Sequence, residues 1–226
     1  MRKKIILSLG GSLIVPDGVD ACFLKKFRKL IIDEVKKGKK FVIVCGGGKL
    51  NSRYNEASRK IIKLNNKELD WLGIHATRFN ANFVRILFKE LAYKETTINP
   101  YQKVKTAKPI IVAAGYEPGW STDYDATYLA KAYGSEKLIN LSNIDYAYDK
   151  DPKKFKNARP IKEIGWADFR KIVGNKWLPR MNKPFDPIAA RAAQELELKV
   201  VILNGKNIGN LKRCLNEEKF KGTIIR

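Results

Sequence analysis

The sequence predicts an α/β fold with a largely parallel central sheet sandwiched by helices. Short apolar runs rich in Val and Ile recur along the 226 residues, and they are nearly continuous rather than alternating. Such runs are typical of strands that are covered on both faces. Longer segments with helical spacing lie between them, and this alternation of strand and helix is typical of parallel sheets.

Each apolar run predicts one strand, and each segment with an apolar stripe predicts one helix. The predicted strands are Ile5–Leu9, Phe41–Cys45, Pro109–Ala114, Lys137–Leu141 and Lys199–Leu203. The predicted helices are Phe23–Val35, Asp70–Tyr93, Ser121–Ala132 and Pro187–Leu196, and a further helical segment follows Lys49. Because no repeat, low-complexity tract or linker interrupts the chain, we expect residues 1–226 to form one domain.

The net charge favours anionic ligands. Lys and Arg number 45 against 23 Asp and Glu, which gives +22 at pH 7. This balance suits phosphates, nucleotides, nucleic acid or an acidic membrane surface, but it does not choose among them. The basic residues are spread along the whole chain, so a lysine-rich proteome is an alternative explanation of the charge. Nucleic acid is not expected as a partner, although the charge leaves it open.

The few cysteines and the single histidine exclude several kinds of metal site and indicate a cellular compartment. Cys22, Cys45 and Cys214 are widely spaced and His75 is the single histidine, which excludes zinc fingers and most histidine-based metal sites. Scattered thiols suit a reducing compartment, so we expect a cytoplasmic protein. The apolar stretch after the basic start resembles a signal peptide, but glycines interrupt it and we interpret it as a strand and loop. No segment approaches the roughly 20 apolar residues of a membrane span.

Glycine, hydroxyl or acidic residues follow four of the predicted strands. In open α/β sheets, ligands bind beyond the carboxyl ends of the strands. The segments at these ends are Gly10-Gly11-Ser12, Gly46-Gly47-Gly48-Lys49, Gly115 to Asp123, and Ser142 to Asp145 followed by Tyr148 to Pro152. Their coincidence is the main functional signal in the sequence.

The two glycine loops have the chemistry of anion cradles. Glycine lets the backbone approach a ligand and expose successive N–H groups, and a helix starting directly afterwards adds partial positive charge. Two such loops could hold phosphate groups of two ligands, with Lys49 neutralising charge. Taken singly, however, a Gly-Gly pair after a strand is more often a tight turn. Neither loop has the spacing of a P-loop or of a dinucleotide-binding fold.

The two later segments allow two interpretations each. Ser121 fits a helix N-cap with Thr122 and Asp123 in the first turn, which is either a plain capped helix or a second phosphate cradle. In the second case, Asp123 would orient a lysine or a magnesium ion. The stretch from Tyr148 to Pro152 is either a turn closed by proline or an aromatic and a carboxylate that meet a nucleoside.

In this order the motifs resemble the amino acid kinase family, and most closely its archaeal-type UMP kinases. Besides the loops above, the resemblance rests on Asp70-Trp71-Leu72-Gly73, Ala76-Thr77-Arg78-Phe79-Asn80-Ala81 and Phe185-Asp186-Pro187-Ile188-Ala189-Ala190. It covers nearly the whole chain. The segments around Thr77 and Asp186 are more specific than any glycine loop alone.

The resemblance implies transfer of the γ-phosphoryl group of Mg-ATP to UMP, and usually a hexameric homo-oligomer. Residues up to about 135 would bind the acceptor, and residues from about 136 to 226 would bind ATP. The residues that would bind ATP are Gly10, Gly11, Gly48, Arg53, Ser142, Tyr148 and Asp151. The residues that would bind UMP are Gly47, Asp70, Tyr116, Glu117, Pro118, Gly119, Trp120, Ser121 and Thr122. Lys49 and Asp123 are the candidate catalytic residues, Mg²⁺ comes with ATP, and no residue is assigned as a metal ligand.

Several positions depart from the family pattern. Ser8 stands where much of the family has a lysine, Arg53 lies one residue beyond the usual arginine position, and Tyr146 replaces a glycine. Glu117 and Trp120 make the acceptor loop more acidic and bulkier. These departures keep two alternatives open: a different small phosphate or carboxylate acceptor, or a non-catalytic nucleotide- or nucleic-acid-binding regulator on the same scaffold.

Overall fold

A seven-stranded sheet forms the centre of the protein. A computed structural model describes residues 3–152, 154–175 and 183–226. The strands of the sheet are β1 (Ile5–Leu9), β2 (Phe41–Cys45), β3 (Ile110–Ala113), β4 (Lys137–Ser142), β7 (Glu163–Ile164), β8 (Lys199–Asn204) and β9 (Thr223–Ile225). A separate two-stranded sheet pairs β5 (Ala147–Tyr148) with β6 (Pro160–Ile161).

The strand order is β3-β2-β1-β4-β8-β9-β7. The five strands from β3 to β8 are parallel to one another, while β9 is antiparallel to β8 and parallel to β7. The prediction of a largely parallel sheet is therefore confirmed, and the antiparallel exception lies at one edge.

Helices cover both faces of the sheet. In the described part of the chain they are α1 (Gly11–Ile14), α2 (Ala21–Lys36), α3 (Gly48–Ile61), α4 (Asn66–Phe88), α5 (Thr122–Tyr133), α6 (Trp166–Val173), α7 (Pro187–Glu195) and α8 (Ile208–Leu215), with a 3₁₀ turn at Lys89–Leu91. Apolar residues of α2, α4 and α8 pack on one face of the sheet, and those of α5, α6 and α7 pack on the other. No described helix has the length and apolar character needed to span a membrane.

The alternation of strand side chains produces this sandwich. Leu7 and Leu9 join the cluster under α2 and α4, whereas Ile6, the neighbour of Leu7, joins the cluster under α5 and α7. Because both faces of these strands are buried, the strand sequences are nearly continuously apolar. The predicted sandwich of helices around one sheet is confirmed.

The predicted helix Asp70–Tyr93 has the wrong limits at both ends. α4 begins four residues earlier because Asn65 and Glu68 form a capping box, in which each side chain accepts a hydrogen bond from the other residue's backbone N–H. It ends at Phe88, since Lys89 has a φ of 46° that no α-helix continues. By contrast, Ser121 caps α5 as predicted and accepts a hydrogen bond from the N–H of Tyr124.

The register of the strands aligns the loops that carry the candidate site. Leu9 lies opposite both Cys45 and Leu141, so β1, β2 and β4 end at the same level. The N–H of Gly10 donates to the Leu141 carbonyl at 3.0 Å, and the N–H of Gly46 donates to the Leu9 carbonyl at 3.0 Å. The loops that follow these three strands therefore lie side by side.

Candidate active site

The two glycine loops are packed backbone to backbone. A Cβ atom on Gly11 would lie 2.0 Å from the amide nitrogen of Gly48, and one on Gly48 would lie 2.2 Å from the Gly11 carbonyl oxygen. Gly48 also has a φ of 62°, which favours glycine. The loops therefore form one continuous glycine surface beyond β1 and β2, and any side chain at Gly11 or Gly48 would separate them.

α4 holds the second glycine loop in place. The side-chain amide of the buried Asn80 donates to the carbonyl of Gly46 at 2.8 Å and to that of Gly47 at 3.0 Å. Both carbonyls therefore turn towards α4. Asn80 belongs to the Thr-Arg-Phe-Asn-Ala segment, and this pair of hydrogen bonds is a physical reason for an amide at that place.

The same segment of α4 anchors the loop after β3. The Thr77 hydroxyl accepts a hydrogen bond of 2.8 Å from the N–H of Gly115 and donates one of 2.7 Å to its own helix at Ile74. The Arg78 guanidinium donates to the carbonyls of Gly115 and Tyr116 at 3.3 and 2.8 Å. One turn of α4 thus fixes both loops relative to each other, a role that the sequence motif alone did not show.

Asp123 lies above the central strands at the start of α5. One carboxylate oxygen accepts hydrogen bonds from the Ser8 hydroxyl at 3.2 Å and from the Asn140 amide at 2.9 Å. The other accepts one from the backbone N–H of Asp186 at 3.3 Å. Ser8 on β1 therefore supports the Asp123 carboxylate directly. Asn140 was missed, although a buried amide inside an apolar strand is a signal that the sequence offers.

Three carboxyl groups at the start of α5 and α7 have raised pKa values. Burial, together with the nearby Asp186 carboxyl, raises the pKa of Asp123 to about 7. Burial raises the pKa of Asp125 to about 8, and it also raises the pKa of Asp186. Asp186 is the N-cap of α7 and accepts hydrogen bonds from the N–H groups of Ile188 and Ala189. The Asp-Pro-Ile-Ala-Ala segment thus places an N-cap beside Asp123.

A cavity of about 400 Å³ lies between the α3–α4 pair and the loop before α5. Five residues predicted for the acceptor line it: Gly47, Asp70, Trp120, Ser121 and Thr122. The sequence interpretation missed nine others: Asn51, Asn55, Arg59, Asn66, Leu69, Gly73, Ile74, Thr77 and Gly115. Most of these residues lie one or two helical turns apart on α3 and α4. Polar residues at that spacing, such as Asn51, Asn55 and Arg59, were the sequence signal that could have indicated the wall of a cavity.

Four predicted acceptor residues lie beside the cavity rather than in its lining. The N–H of Gly119 donates to the Asp70 carboxylate at 3.0 Å, and Gly119 has a φ of 90°. The Trp120 indole N–H donates to Glu117 at 3.3 Å, and the Trp120 ring stacks on Tyr124 with centroids 4.2 Å apart. These contacts set the conformation of the loop. The remaining two loop residues are the partly buried Tyr116 and Pro118.

Three of the residues predicted for ATP lie at or beyond the end of β4. Ser142 ends β4 next to Gly10 and Gly11, and its carbonyl accepts a hydrogen bond from Gly205 at 2.9 Å. Tyr148 was expected in a turn or at a nucleoside, and it lies partly buried in β5, with Asp151 three residues further on.

Two predicted basic residues lie on α3. Arg53 forms an exposed ion pair of 2.9 Å with Asp17. Lys49 is exposed in the first turn of α3, and its N–H donates to the Val15 carbonyl at 2.9 Å. Lys49 therefore lies next to the glycine surface with its side chain in solvent.

The described residues contain no group of three His, Cys, Asp or Glu side chains that could hold a metal ion. At the site, Asp123 and Asp186 lie next to each other, and backbone and side-chain donors already engage both carboxyl groups. A divalent cation here would therefore depend on oxygen ligands from a bound phosphate compound.

Comparison with known proteins identifies the family. Residues 3–204 match the model of the amino acid kinase family. The chain belongs to this family. The uridylate kinase of Methanocorpusculum labreanum is 32% identical over 98% of this chain and 95% of its own length. The uridylate kinase of Thermoplasma volcanium is 32% identical over 100% and 98% of the two chains.

A solved structure within the family also covers the whole fold. The crystal structure of uridylate kinase from Archaeoglobus fulgidus has a TM-score of 0.84 and 27% sequence identity, and the match covers 99% of this chain and 100% of that chain. The sheet, its helical layers and the loops at its carboxyl edge therefore belong to the amino acid kinase fold.

Proposed function

We propose that the protein is a UMP kinase, which transfers the γ-phosphoryl group of ATP to UMP and gives UDP and ADP. The observation that carries this proposal is the cavity of about 400 Å³ that opens onto the shared glycine surface at Gly47. A nucleotide-sized cavity beside a second backbone N–H surface is what transfer between two phosphate compounds requires. The full-length relatives named uridylate kinase support UMP as the acceptor.

The acceptor would occupy the cavity with its phosphate at the carboxyl edge of the sheet. The N-terminus of α5, with Ser121 and Thr122, and the backbone at Gly47 line that end, and helix N-termini favour phosphate groups. Asp70 lines the next part of the cavity, and the carboxylate oxygen that Gly119 does not contact suits the hydroxyl groups of a ribose. The hydrogen bond that Thr77 accepts from Gly115 and those that Arg78 donates to the loop would hold the loop before α5 against the acceptor.

ATP would bind on the opposite side of the glycine surface. Gly10, Gly11 and Gly48 would hold its phosphate groups through backbone N–H groups, with Arg53 near the start of α3. Ser142, Tyr148 and Asp151 would contact the nucleoside. In this arrangement the acceptor cavity is formed within residues 47–122, whereas ATP would contact residues from both 1–135 and 136–226.

Catalysis would depend on charge neutralisation and in-line positioning rather than on covalent chemistry. Mg²⁺ would arrive with ATP and balance the charge on the phosphate oxygens. Lys49 would add a positive charge beside the glycine surface, and the fixed Asp123 carboxylate would orient the cations around the transferred group. Lys49→Ala should therefore reduce turnover while leaving the melting temperature unchanged.

The surface of α4 supports a homo-oligomer, for which the family resemblance suggests a hexamer. Trp71, Phe79 and Ile86 lie at helical spacing on α4 with 37%, 70% and 54% of their surface exposed. An exposed apolar stripe of this kind is typical of an interface.

Cys22, Cys45 and Cys214 are free thiols, which is consistent with a cytoplasmic location.

Separate calorimetric titrations with UMP and with ATP test whether both sites exist. We expect each nucleotide to bind alone in the presence of Mg²⁺. Asp70→Asn should weaken UMP binding and leave ATP binding unchanged. Absence of UMP binding to the wild-type protein would contradict the acceptor assignment, and binding of both nucleotides without UDP formation would contradict the kinase assignment.

A further inference from the structure

α3 forms a polar wall along the acceptor cavity. Asn51, Asn55 and Arg59 all line the cavity, and their spacing of four residues places them on one face of the helix. With a rise of about 1.5 Å per residue, this wall is about 12 Å long. It begins beside Gly47 at the phosphate end and continues away from the sheet.

Asn55 is the buried member of this wall. Only 3% of its surface is exposed, and its side-chain amide donates a hydrogen bond of 2.9 Å to the side-chain oxygen Oδ1 of Asn51. Within the part of the chain that the structure describes, Asn55 Oδ1 has no hydrogen-bond partner. Buried polar atoms without a partner are rare in folded proteins. Since Oδ1 is the atom of Asn55 without a partner, the group that Asn55 offers to a ligand is a hydrogen-bond acceptor.

Gly73 keeps the cavity open beside this pair. A Cβ atom on Gly73 would lie 3.1 Å from Asn51 Nδ2, so a larger residue would displace the side chain that holds Asn55. Asp70 lies one turn before Gly73 on α4 and also lines the cavity. A nucleotide that extends from the phosphate end past Asp70 therefore reaches the space that Asn51 and Asn55 border.

We propose that Asn55 determines pyrimidine specificity by accepting a hydrogen bond from the N3–H group of uracil. This inference rests on the proposed function, since it requires a uridine nucleotide in the cavity. Uracil carries a donor at N3, whereas cytosine carries a lone pair there that would face the Asn55 oxygen. The site therefore selects UMP over CMP, and Asn51 acts as the positioning residue that fixes the orientation of the Asn55 amide.

The test compares kcat/KM for UMP and CMP in the wild-type enzyme, Asn55→Leu and Asn55→Ala. We expect both variants to lose about tenfold or more in kcat/KM for UMP and much less for CMP, because a site built around a hydrogen bond discriminates through it. Asn157→Leu is the control, since Asn157 is exposed and does not line the cavity. An unchanged ratio of UMP to CMP in folded Asn55 variants would overturn the inference.

A substrate analogue tests the same contact without a variant. UMP methylated at N3 lacks the donor, so the wild-type enzyme should use it at least about tenfold less well than UMP, and Asn55→Ala should show a smaller difference between the two. Equal use of both compounds by the wild-type enzyme would overturn the inference. Failure of the wild-type enzyme to phosphorylate UMP at all would contradict the proposed function instead, so the two failures are distinguishable.

Discussion

The side-chain amide of Asn140 donates a hydrogen bond of 2.9 Å to the carboxylate of Asp123. Asn140 on β4 lies opposite Ser8 on β1 in the parallel register, and Ser8 donates to the same carboxylate oxygen at 3.2 Å. Two adjacent central strands therefore fix the orientation of the acid that begins α5. Since both donors are buried in the sheet, the position of this carboxylate is set by the fold itself.

Asp123→Asn should lower kcat by about 100-fold, the usual loss when a preorganised electrostatic group is removed. The substitution keeps the shape of the side chain and removes the negative charge that would orient the cations. Steady-state kinetics with UMP and Mg-ATP measure this effect. Asp168→Asn is the matched control, because Asp168 forms an exposed ion pair on α6 and should leave kcat unchanged. Equal rates for both variants would remove Asp123 from the mechanism.

The stability of the unliganded protein should fall as pH rises from about 4 to about 8. Asp123 and Asp125 have folded-state pKa values raised to about 7 and about 8. The folded chain therefore holds protons that the unfolded chain has released, and stability decreases through this window. Asp125→Asn removes one of these groups, so its melting temperature should exceed that of the wild type by about 2–4 °C or more at pH 9.

At pH 4 the same pair of proteins should differ little, because Asp125 is then neutral in the folded wild type. Thermal unfolding followed by circular dichroism at several pH values measures both differences. Asp168→Asn again serves as a control with an exposed carboxyl group. If the difference in melting temperature between Asp125→Asn and the wild type stayed the same from pH 4 to pH 9, this would contradict the raised pKa of Asp125.

Gly11→Ala should abolish nucleotide binding or prevent stable folding. Its Cβ atom would lie 2.0 Å from the Gly48 nitrogen and 2.6 Å from the Gly46 carbonyl carbon, so the two glycine loops would have to separate. Gly18→Ala is the control, since nothing lies within 4 Å of a Cβ atom at Gly18. Melting temperature and ATP binding check the two variants. Normal ATP binding by Gly11→Ala would show that contact between the loops is dispensable.

Arg78→Lys should raise the KM for UMP several-fold more than the KM for ATP. A lysine cannot reproduce the two hydrogen bonds that the guanidinium donates to the carbonyls of Gly115 and Tyr116. The loop before α5 would then lose one of its anchors while the ATP side stays intact. Arg85→Lys on the same helix is the matched control, because Arg85 contacts Asn82 on the surface. Equal changes in both KM values would argue against a loop-specific role.

The sequence predicts the central strands well because burial on both faces leaves a continuous apolar signal. Ile5–Leu9 and Phe41–Cys45 coincide with the observed strands. The edge of the sheet escapes prediction, since β7 has two residues and β9 three, too few to show a period. The start of α4 was missed for another reason: its signal is the capping pair Asn65 and Glu68 rather than an apolar stripe.

The site was predictable where it follows strand ends and unpredictable where distant segments meet. The position of Ser121 as an N-cap follows from local sequence alone. The contact between Gly11 and Gly48 depends on the register of β1 and β2, which no local pattern contains. Likewise, the hydrogen bond from Gly119 to Asp70 joins residues 49 positions apart.

Phosphorylation of UMP by Mg-ATP is the measurement that tests the central claim most directly. Purified protein incubated with both nucleotides should form UDP and ADP in equal amounts, as followed by chromatography of the products. UMP should be used in preference to CMP, AMP and GMP. Absence of UDP, or faster phosphorylation of another nucleoside monophosphate under the same conditions, would contradict the account.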